Sequence, residues 1–599
     1  MKVAVIGGGP AGLTTLKFLL EAHKCFPIPP IEARLYEAEA EIGGTFVYRV
    51  YEDAELVSSK YLTTFSDFRL PDDAPDFVTP AAYVGYLKRY ATAFNLWPAI
   101  KRNTRVVGIE RRKMANGYCV DLRKGEVESK WTCDAVAVCS GVNAKPVIPP
   151  IEGIHQVPNV LHSSEFKTRA QFGEETNVVI MGAGETAMDL AHLAVTSPTK
   201  SVTLCHRDGF FAAPKVIPTP QPFYRPGRNP SARPNKPVDT SVASLFDTAY
   251  VHPILQRSSL LWTYYDRWIK SMHWLISGTE EGPDQWVGQI SPDRKYMDSI
   301  LLVKSDRALP YMNAGHRSDS WVNRLRSSFL QVPIKETGDR RIDVRNWPTS
   351  IDQNGYMRFS PVKTQCDQSR LEKELKPDVV VFATGYTPDL PFLEESLFDT
   401  DEATVRGVYK KSDVTMGYIG FVRPSIGAIP PLAELQAQFW VLRLLQHAFP
   451  DQVPSTRDVN SVGQYELDYA IHARESYSFF HTKRAVDHES YAYQLAVDMG
   501  AAPRITHVMK KGFKVFYTWA MGSNFNTKFR LVGPWKWEQG AEEIMHNELF
   551  NVVKRSGGLV CKFSTGHLKS IRLTSTRSFH LHHHSLYYLW HVEHDPTHC

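Results

Sequence analysis

The chain has 599 residues, of which 43% are hydrophobic and 22% are charged, and its formal net charge is +5. This length exceeds one hydrophobic core, so we expect a globular protein of two or more domains, while the small charge gives no case for a nucleic-acid partner. No apolar run has the length of a transmembrane segment and the eight cysteines form no CxxC pair, which favours a cytoplasmic protein without a metal site and leaves peripheral membrane contact open.

The first predicted element is a strand, residues 3–6, that leads directly into a glycine-rich turn and a helix-like pattern. Gly7, Gly9 and Gly12 have the GxGxxG spacing of a dinucleotide-binding unit. In such a unit the glycines permit the tight turn, the approach of a pyrophosphate and the close packing of the helix. Glu37 ends the next predicted strand, where a carboxylate accepts hydrogen bonds from a ribose and repels a 2′-phosphate. This turn therefore favours FAD or NAD over NADP.

A second turn of the same kind follows the predicted strand 178–181. Gly182 and Gly184 occupy its first two glycine positions, and Ala187 occupies the third as an allowed variant. The next predicted strand is followed by Arg207 instead of an acid, and an arginine there can form charge-assisted hydrogen bonds with a 2′-phosphate. This turn favours NADPH. Two such turns in one chain suggest electron transfer between two dinucleotides.

Four later segments complete the predicted order of elements. Residues 209–250 are rich in proline, arginine and asparagine and are typical of a long loop, and the aromatic stretches in 251–330 are typical of a core or a lid. Residues 378–386 form an apolar strand with a small-residue ending, which we expect to return to the first domain. Helical spacing of apolar residues predicts a helix over 432–446, with prolines at its start.

These elements predict an α/β protein with two dinucleotide-binding domains, both Rossmann-like with three layers. The FAD-binding domain is expected to be discontinuous and interrupted by the NADPH-binding domain. The predicted parts are the first FAD-binding part at 1–160, the NADPH-binding domain with its aromatic insertion at 161–340, the second FAD-binding part at 341–450, a C-terminal helical region at 451–560 and a histidine-rich tail at 561–599. We expect the tail to be disordered rather than a metal site, because no acid or cysteine lies at metal-ligand spacing.

Several short motifs follow one another in a specific order over most of residues 1–555. They are the turn at 7–12, EIGGTF at 41–46, SSK at 58–60, FSDF at 65–68, MGAGETAMD at 181–189, FATGY at 382–386, IGFV at 419–422, ELQA at 434–437 and FRLVGP at 529–534. With these motifs the chain resembles the flavin-containing monooxygenases of the dimethylaniline N-oxidising type, and most of all their fungal members.

The resemblance implies an enzyme that binds FAD and NADPH and uses O₂, with a homo-oligomer possible. NADPH reduces FAD, a C4a-hydroperoxyflavin forms, and one oxygen atom goes to a soft nitrogen or sulfur nucleophile by N-oxidation or S-oxidation of a small amine or thioether. The implied cofactor-binding residues are Gly7, Gly9, Gly12, Glu37, Gly44, Thr45, Phe46, Ser58, Gly182, Gly184, Glu185, Thr186, Arg207, Thr384 and Gly385. Ser58 and Ser59 are the candidate catalytic residues.

The sequence departs from the family pattern at Val57, where many members carry an asparagine that touches the flavin and NADP⁺. In one interpretation Ser58 and Ser59 supply the missing hydrogen bonds, and in the other the oxygenated flavin is less protected. An NADPH oxidase that releases hydrogen peroxide is therefore an alternative function. A Baeyer–Villiger monooxygenase, which shares both glycine turns, and a non-catalytic nucleotide-binding protein are the others.

Overall fold

The structure is a computed structural model. It describes residues 1–112, 116–207, 210, 212–213, 215–217, 236–240, 303–305, 307–314, 320–321, 337–338, 340–359, 374–393, 405–424, 426–456, 467, 469–470 and 485–556. Most of the predicted loop at 209–250, most of the aromatic insertion at 251–330 and the whole histidine-rich tail at 561–599 lie outside the described residues.

The strands of the described residues are named in chain order. They are β1 (Lys2–Ile6), β2 (Glu32–Tyr36), β3 (Ile100–Lys101), β4 (Arg105–Arg111), β5 (Tyr118–Lys124), β6 (Val127–Cys133), β7 (Ala135–Val138), β8 (Lys145–Pro146), β9 (Asn159–His162), β10 (Asn177–Met181), β11 (Ser201–His206), β12 (Ala212–Ala213), β13 (Val216–Ile217), β14 (Lys236–Pro237), β15 (Val303–Lys304), β16 (Ile342–Asn346), β17 (Pro348–Ile351), β18 (Met357–Phe359), β19 (Val379–Phe382), β20 (Tyr386–Thr387), β21 (Tyr409–Lys410), β22 (Asp413–Tyr418), β23 (Arg423–Pro424) and β24 (Ala485–Val486). The strands predicted before and after each glycine turn are confirmed.

The α-helices of the same residues are named likewise. They are α1 (Pro10–Cys25), α2 (Thr45–Tyr48), α3 (Lys60–Thr63), α4 (Pro80–Ala93), α5 (Glu185–Val195), α6 (Leu309–Asn313), α7 (Ile429–Ala448), α8 (His488–Asp498), α9 (Ile505–Met509), α10 (Phe513–Met521), α11 (Glu538–Ile544) and α12 (Phe550–Ser556). The helix predicted at 432–446 is confirmed as part of α7, which has proline in its first turn. None of the helices described here is long and apolar enough to cross a bilayer.

The first sheet has the strand order β21-β22-β7-β1-β2-β3 and is parallel except at the pair β21 and β22. Its central strands β1 and β7 are buried apolar runs, as expected of a parallel sheet that is covered on both faces. Residues of α1, α4 and α7 pack on one face, and the antiparallel sheet β4-β5-β6 packs on the other. These three layers combine the N-terminal part of the chain with residues after 405, so the first unit is discontinuous, as predicted.

The second sheet has the strand order β16-β11-β10-β19-β9 and is parallel throughout. Helix α5 packs on one face, and β17 and β18 contribute to the core on the other. The prediction that residues 378–386 return to the first sheet is wrong, because β19 pairs with β10 in the register Val178 to Val379. An apolar run fits either parallel sheet, and only tertiary pairing decides between them. The chain returns to the first sheet at β21 and β22.

The C-terminal helices pack on the first unit. Helix α8 contributes Tyr491 and Leu495 to the same core as α1 and α7. Helices α10 and α12 form a smaller core with Tyr61 and Leu62 of α3. The segment that contains Val57 and α3 is therefore covered by elements that lie more than 400 residues later in the chain.

Candidate functional site

Both glycine-rich turns lie at the carboxyl edge of a parallel sheet, between the first strand of a unit and the helix that follows it. In the first unit the Gly7 N–H donates to the Tyr36 carbonyl over 2.8 Å. In the second unit the Gly182 N–H donates to the Cys205 carbonyl over 2.9 Å. Each acceptor lies at the end of the neighbouring strand. Nucleotides bind at this edge of open α/β sheets, so both turns have the location that the prediction requires.

The first position of each turn requires glycine for the same geometric reason. Gly7 has φ +107°, and a Cβ placed there would lie 2.8 Å from the Cys139 carbonyl oxygen. Gly182 has φ +124°, and its Cβ would lie 2.5 Å from the Ala383 carbonyl oxygen. Both carbonyls belong to the residue that follows the adjacent central strand, β7 or β19. In both units the turn therefore passes close to the backbone at the end of the adjacent strand.

The first turn is closed by its own backbone and by the glycine pair Gly43 and Gly44. A Cβ on Gly12 would lie 1.9 Å from the Gly7 carbonyl oxygen, so α1 approaches the turn as closely as a glycine permits. Gly44 has φ +58°, and its Cβ would lie 3.3 Å from the Cα of Gly9. Backbone without side chains therefore faces backbone at this point. Such a cradle fits a pyrophosphate that approaches the main chain at the start of a helix.

Glu37 lies at the end of β2 and is 7% exposed. One carboxylate oxygen accepts from the Gly8 N–H over 2.6 Å, and the other accepts from the Glu39 N–H over 2.9 Å. Burial raises the pKa of the Glu37 carboxyl, although the backbone donors partly oppose the shift. The acid predicted to bind ribose thus has the predicted location and also joins β2 to the first turn.

Thr45 and Phe46 begin α2 directly after Gly44, so both are carried by the glycine pair that closes the first turn. The Phe46 ring contacts the ring of Tyr83 edge-to-face, with centroids 4.7 Å apart. This contact fixes Phe46 against α4. Both side chains are half-buried.

The segment 57–59 is held by residues that are distant in sequence. The Ser58 hydroxyl donates to the Gly427 carbonyl over 2.7 Å, just before the start of α7. The Ser59 N–H donates to a carboxylate oxygen of Asp239 over 2.7 Å. Val57 is half-buried, whereas both serines are buried. The predicted catalytic serines are therefore fixed at the junction of α3, α7 and a described piece of the predicted loop at 209–250.

A buried polar group next to Ser59 could not be inferred from the sequence. The Lys304 ammonium lies 4.0 Å from the Asp239 carboxylate, and both side chains are almost fully buried. Within the described part of the chain, the Lys304 ammonium, one Asp239 oxygen and the Ser59 hydroxyl have no hydrogen-bond partner. Asp239 and Lys304 come from the region where the family motifs are thinnest, so no local sequence signal marks them.

Among the residues that the structure describes, the second turn is less closely enclosed than the first. Gly184 is exposed at the N-terminus of α5, and a Cβ there would have no described atom within 4 Å. Glu185 and Thr186 form the first turn of α5 and are half-buried. The free N–H groups of this helix end face the open side, which suits an anionic ligand.

Arg207 directly follows β11, as predicted, and is exposed. Its guanidinium carbon lies 5.9 Å from the centre of the Trp347 ring. A second arginine, Arg345 on the adjacent strand β16, is buried and lies over the ring of Phe359 at 5.2 Å. Burial lowers the pKa of Arg345. The carboxyl edge of the second sheet thus carries two guanidinium groups, and the sequence indicated only one of them.

Thr384 and Gly385 follow β19 and lie beside the second turn. The Thr384 hydroxyl donates to the Val147 carbonyl, and the Val147 N–H donates to the Gly385 carbonyl over 3.1 Å. The same carbonyl lies 3.1 Å from the His162 ring, and burial lowers the pKa of this imidazole. These residues join β19 to the crossover that links the two units.

Sequence reasoning missed a direct contact between the two units. The Tyr51 hydroxyl donates to the Asp189 carboxylate over 2.8 Å. Tyr51 lies six residues before Val57, and Asp189 lies on α5 three residues after Thr186. Only Asp189 belongs to a recognised motif, and its partner is 138 residues away, so no spacing rule could have found the pair.

Comparison with known proteins gives one family. The model of the flavin-binding monooxygenase-like family matches residues 1–223 and 366–556. The matched ranges include both glycine turns, Arg207 and the segment 57–59.

Individual relatives extend over nearly the same length. The monooxygenase cfoE of Aspergillus candidus is 47% identical and covers 94% of each chain. The N-oxide-forming dimethylaniline monooxygenase 2 of Oryctolagus cuniculus is 25% identical and covers 92% of each chain. The solved structure of the S-allyl-L-cysteine S-oxygenase from Allium sativum is 15% identical, with a TM-score of 0.49 over 92% of this chain and 98% of that chain.

Proposed function

Because this chain belongs to the flavin-binding monooxygenase-like family, we propose that it is an NADPH- and O₂-dependent enzyme that transfers one oxygen atom to a soft nitrogen or sulfur nucleophile. The observation that carries the proposal is the pair of glycine turns at the carboxyl edges of two parallel sheets, linked through Tyr51 and Asp189. A single polypeptide with two such turns can hold a hydride donor and its acceptor together.

The first turn is proposed to hold FAD. Its backbone cradle at Gly9 and Gly44 admits a pyrophosphate, and the N-terminus of α1 supplies free N–H groups to it. Glu37 lies where a ribose would offer its hydroxyl groups. The isoalloxazine would then lie toward Thr45, Phe46 and Ser58.

The second turn is proposed to hold NADPH. A Cβ at Gly184, at the N-terminus of α5, would have no atom of the described residues within 4 Å, and Arg207 lies at the end of β11, where the ribose of the adenosine half would lie. A guanidinium pairs with a 2′-phosphate through charge-assisted hydrogen bonds, and a carboxylate would repel it. Arg207 is therefore the residue proposed to select NADPH over NADH.

When bound, the flavin supplies the redox chemistry and the activation of oxygen. The chain's own residues bind and orient the two rings and exclude water. Ser58 is held by its hydrogen bond to Gly427, immediately before α7 begins, and the N-terminus of that helix favours negative charge near it. No protein nucleophile is needed for this reaction.

The name of the rabbit relative supports nitrogen as the atom oxidised, and Val57 supports a second candidate function. At Val57 an apolar side chain occupies the position where many members carry an asparagine, so fewer hydrogen bonds are available to protect an oxygenated flavin. An NADPH oxidase that releases hydrogen peroxide is the function that this residue favours.

The test is to purify the protein with its flavin and to measure NADPH consumption, O₂ consumption and hydrogen peroxide with panels of small amines, thioethers and ketones. We expect an oxygenated amine or thioether and less peroxide than NADPH consumed. Peroxide equal to NADPH with every compound would assign the oxidase function. Oxidation of ketones alone would assign the Baeyer–Villiger function. A colourless protein that does not consume NADPH would contradict all three.

A further inference from the structure

Residues 51–55 form a segment, here called the strap, that belongs in sequence to the first unit but contacts the second. Tyr51 is packed against the core of the second unit, with its ring 6.4 Å from that of Phe166. Its hydroxyl donates to Asp189 on α5 over 2.8 Å. Burial raises the pKa of both Tyr51 and Asp189, so the tyrosine keeps the proton that it donates.

The middle of the strap holds the other end of α5 through Arg169. The Glu52 carboxylate accepts from the Arg169 backbone N–H over 2.8 Å and from its guanidinium over 3.0 Å. The same guanidinium donates to the Leu193 carbonyl over 3.1 Å and to the Thr196 hydroxyl over 2.6 Å, at the C-terminal end of α5. The strap therefore contacts α5 directly near its start and through Arg169 at its end.

The last residues of the strap contact described pieces of the predicted loop at 209–250 and of the aromatic insertion at 251–330. The Glu55 carboxylate lies 2.7 Å from the Arg307 guanidinium and 3.4 Å from the Lys215 ammonium. The Arg307 guanidinium also donates to the Asp53 carbonyl over 2.7 Å. Four of the five strap residues are thus bound to residues after 160, although the strap belongs in sequence to the first unit.

The strap continues directly into the segment 57–59. The Leu56 N–H donates to the Val78 carbonyl over 3.0 Å, and the Leu56 side chain is buried, so the chain is fixed between the strap and Val57. Movement of α5 would therefore be transmitted to the residues beside the proposed flavin site. Reaction rates respond strongly to such movement, because a displacement of about 1 Å can change a rate by about a hundredfold.

We infer that Tyr51 and Asp189 are positioning residues, which hold α5 at a fixed position relative to the segment 57–59. This position sets the distance for hydride transfer between the two proposed cofactors. The inference rests on the proposed function, since it concerns the same two cofactors. Neither residue is proposed to touch a cofactor. Their contribution is to the rate of transfer and not to the binding of NADPH.

The test is the rate of flavin reduction after anaerobic mixing with NADPH, measured in the full-length flavin-loaded protein. For Tyr51→Phe we expect the rate at saturating NADPH to fall about ten- to a hundredfold, with the apparent Kd for NADPH changed less than about twofold. Asp189→Asn keeps an oxygen that can accept from Tyr51, so its rate should stay close to that of the wild type. Tyr48→Phe is the matched control, because the Tyr48 hydroxyl bonds to Glu41 within the first unit.

A rate in Tyr51→Phe equal to that of the wild type would overturn the inference, as would a loss confined to NADPH affinity. An equal fall in Tyr48→Phe would also overturn it, because the effect would then not belong to the contact with α5. Flavin content and the thermal unfolding midpoint of each variant identify a loss that comes from misfolding. If Tyr51→Phe misfolds, Asp189→Ala carries the test, because it removes the acceptor of the Tyr51 hydroxyl and its rate should fall as expected for Tyr51→Phe while that of Asp189→Asn stays close to the wild type. If the wild-type flavin is not reduced by NADPH at all, the proposed function fails before any variant is compared.

Discussion

The two glycine turns have the same strand connections but differ in how closely each is enclosed. Each turn donates to the end of the neighbouring strand, and each passes a carbonyl that would meet a side chain at its first glycine. The first turn contacts Gly44 and is approached closely by α1 at Gly12, whereas the second has Ala187 at the third glycine position, and a Cβ at Gly184 would have no described atom within 4 Å. An enclosed site suits a cofactor that stays bound, and an open site suits one that must enter and leave.

This difference also explains why the first unit has glycine at the third position of the GxGxxG motif, whereas the second unit has alanine there. The third position is glycine there because a Cβ would lie 1.9 Å from the Gly7 carbonyl oxygen. In the second unit Ala187 is fully buried and contributes its methyl group to the core. The residue type at this position therefore reports how closely the helix approaches its turn.

The largest effect is expected from substitutions at the third glycine position of each turn, which is Gly12 in the first turn and Ala187 in the second. Gly12→Ala would force α1 away from the first turn, so we expect loss of bound flavin together with a stability loss of at least about 1–3 kcal/mol from overpacking. Ala187→Gly, the reverse change in the second turn, should keep the flavin and cost about 2 kcal/mol, from the lower helix propensity of glycine and the loss of a buried methyl group. The ratio of flavin to protein after gel filtration measures how much flavin each variant retains, and the thermal unfolding midpoint measures its loss of stability. A Gly12→Ala protein that retains flavin like the wild type would contradict the proposal that the close approach of α1 to the first turn is needed to bind flavin.

An intermediate effect is expected at Arg207. Arg207→Ala should raise the KM for NADPH about tenfold or more relative to that for NADH, because a charge-assisted hydrogen bond contributes roughly 1.5–3 kcal/mol. Steady-state NADPH and NADH oxidation give both constants. Arg34→Ala on β2, which removes a half-buried arginine bonded to Glu32 in the first unit, is the control and should change neither KM. Equal effects of Arg207→Ala on the two nucleotides would remove this residue from the phosphate site.

The smallest effect is a pH dependence at the first turn. The pKa of Glu37 is raised from its ordinary value of 4.5 by burial, so the folded protein binds this proton more tightly than the unfolded chain does. Ionisation of Glu37 therefore opposes folding at neutral pH, and this cost is relieved as the pH falls through the raised pKa toward 4.5. The thermal midpoint of the wild type should rise relative to that of Glu37→Gln over this window.

The control for this pH dependence is the equivalent position of the second unit. Arg207→Gln introduces no group that titrates in the window, so its midpoint should follow that of the wild type at every pH. A constant difference between the wild type and Glu37→Gln from neutral pH down to the ordinary glutamate pKa would contradict the assignment of the shift to Glu37.

Sequence reasoning succeeded where a structural requirement is local. The strand, glycine turn and helix of each unit occupy adjacent residues, and the Glu37 and Arg207 positions follow from the length of the next strand. The start of α7 was also indicated locally by its prolines. Such features depend on backbone geometry and spacing, which are visible in a single sequence.

It failed where the requirement is a long-range pairing. Residues 379–382 are a buried apolar strand that suits either sheet, and the prediction chose the wrong one. The hydrogen bond between Tyr51 and Asp189 joins residues 138 apart in the chain, and the hydrogen bond between Ser59 and Asp239 joins residues 180 apart. Side-chain identity at these positions carries no information about the partner, so only the folded chain reveals it.

The central claim is that one chain holds FAD at the first turn and NADPH at the second, close enough for hydride transfer. The most direct measurement is the visible flavin absorbance of the purified protein, mixed anaerobically with NADPH and then exposed to O₂. From the proposed function we expect NADPH to bleach the flavin absorbance, NADH to do so with much lower affinity, and O₂ to restore the absorbance. Bound flavin whose absorbance NADPH leaves unchanged would contradict the account.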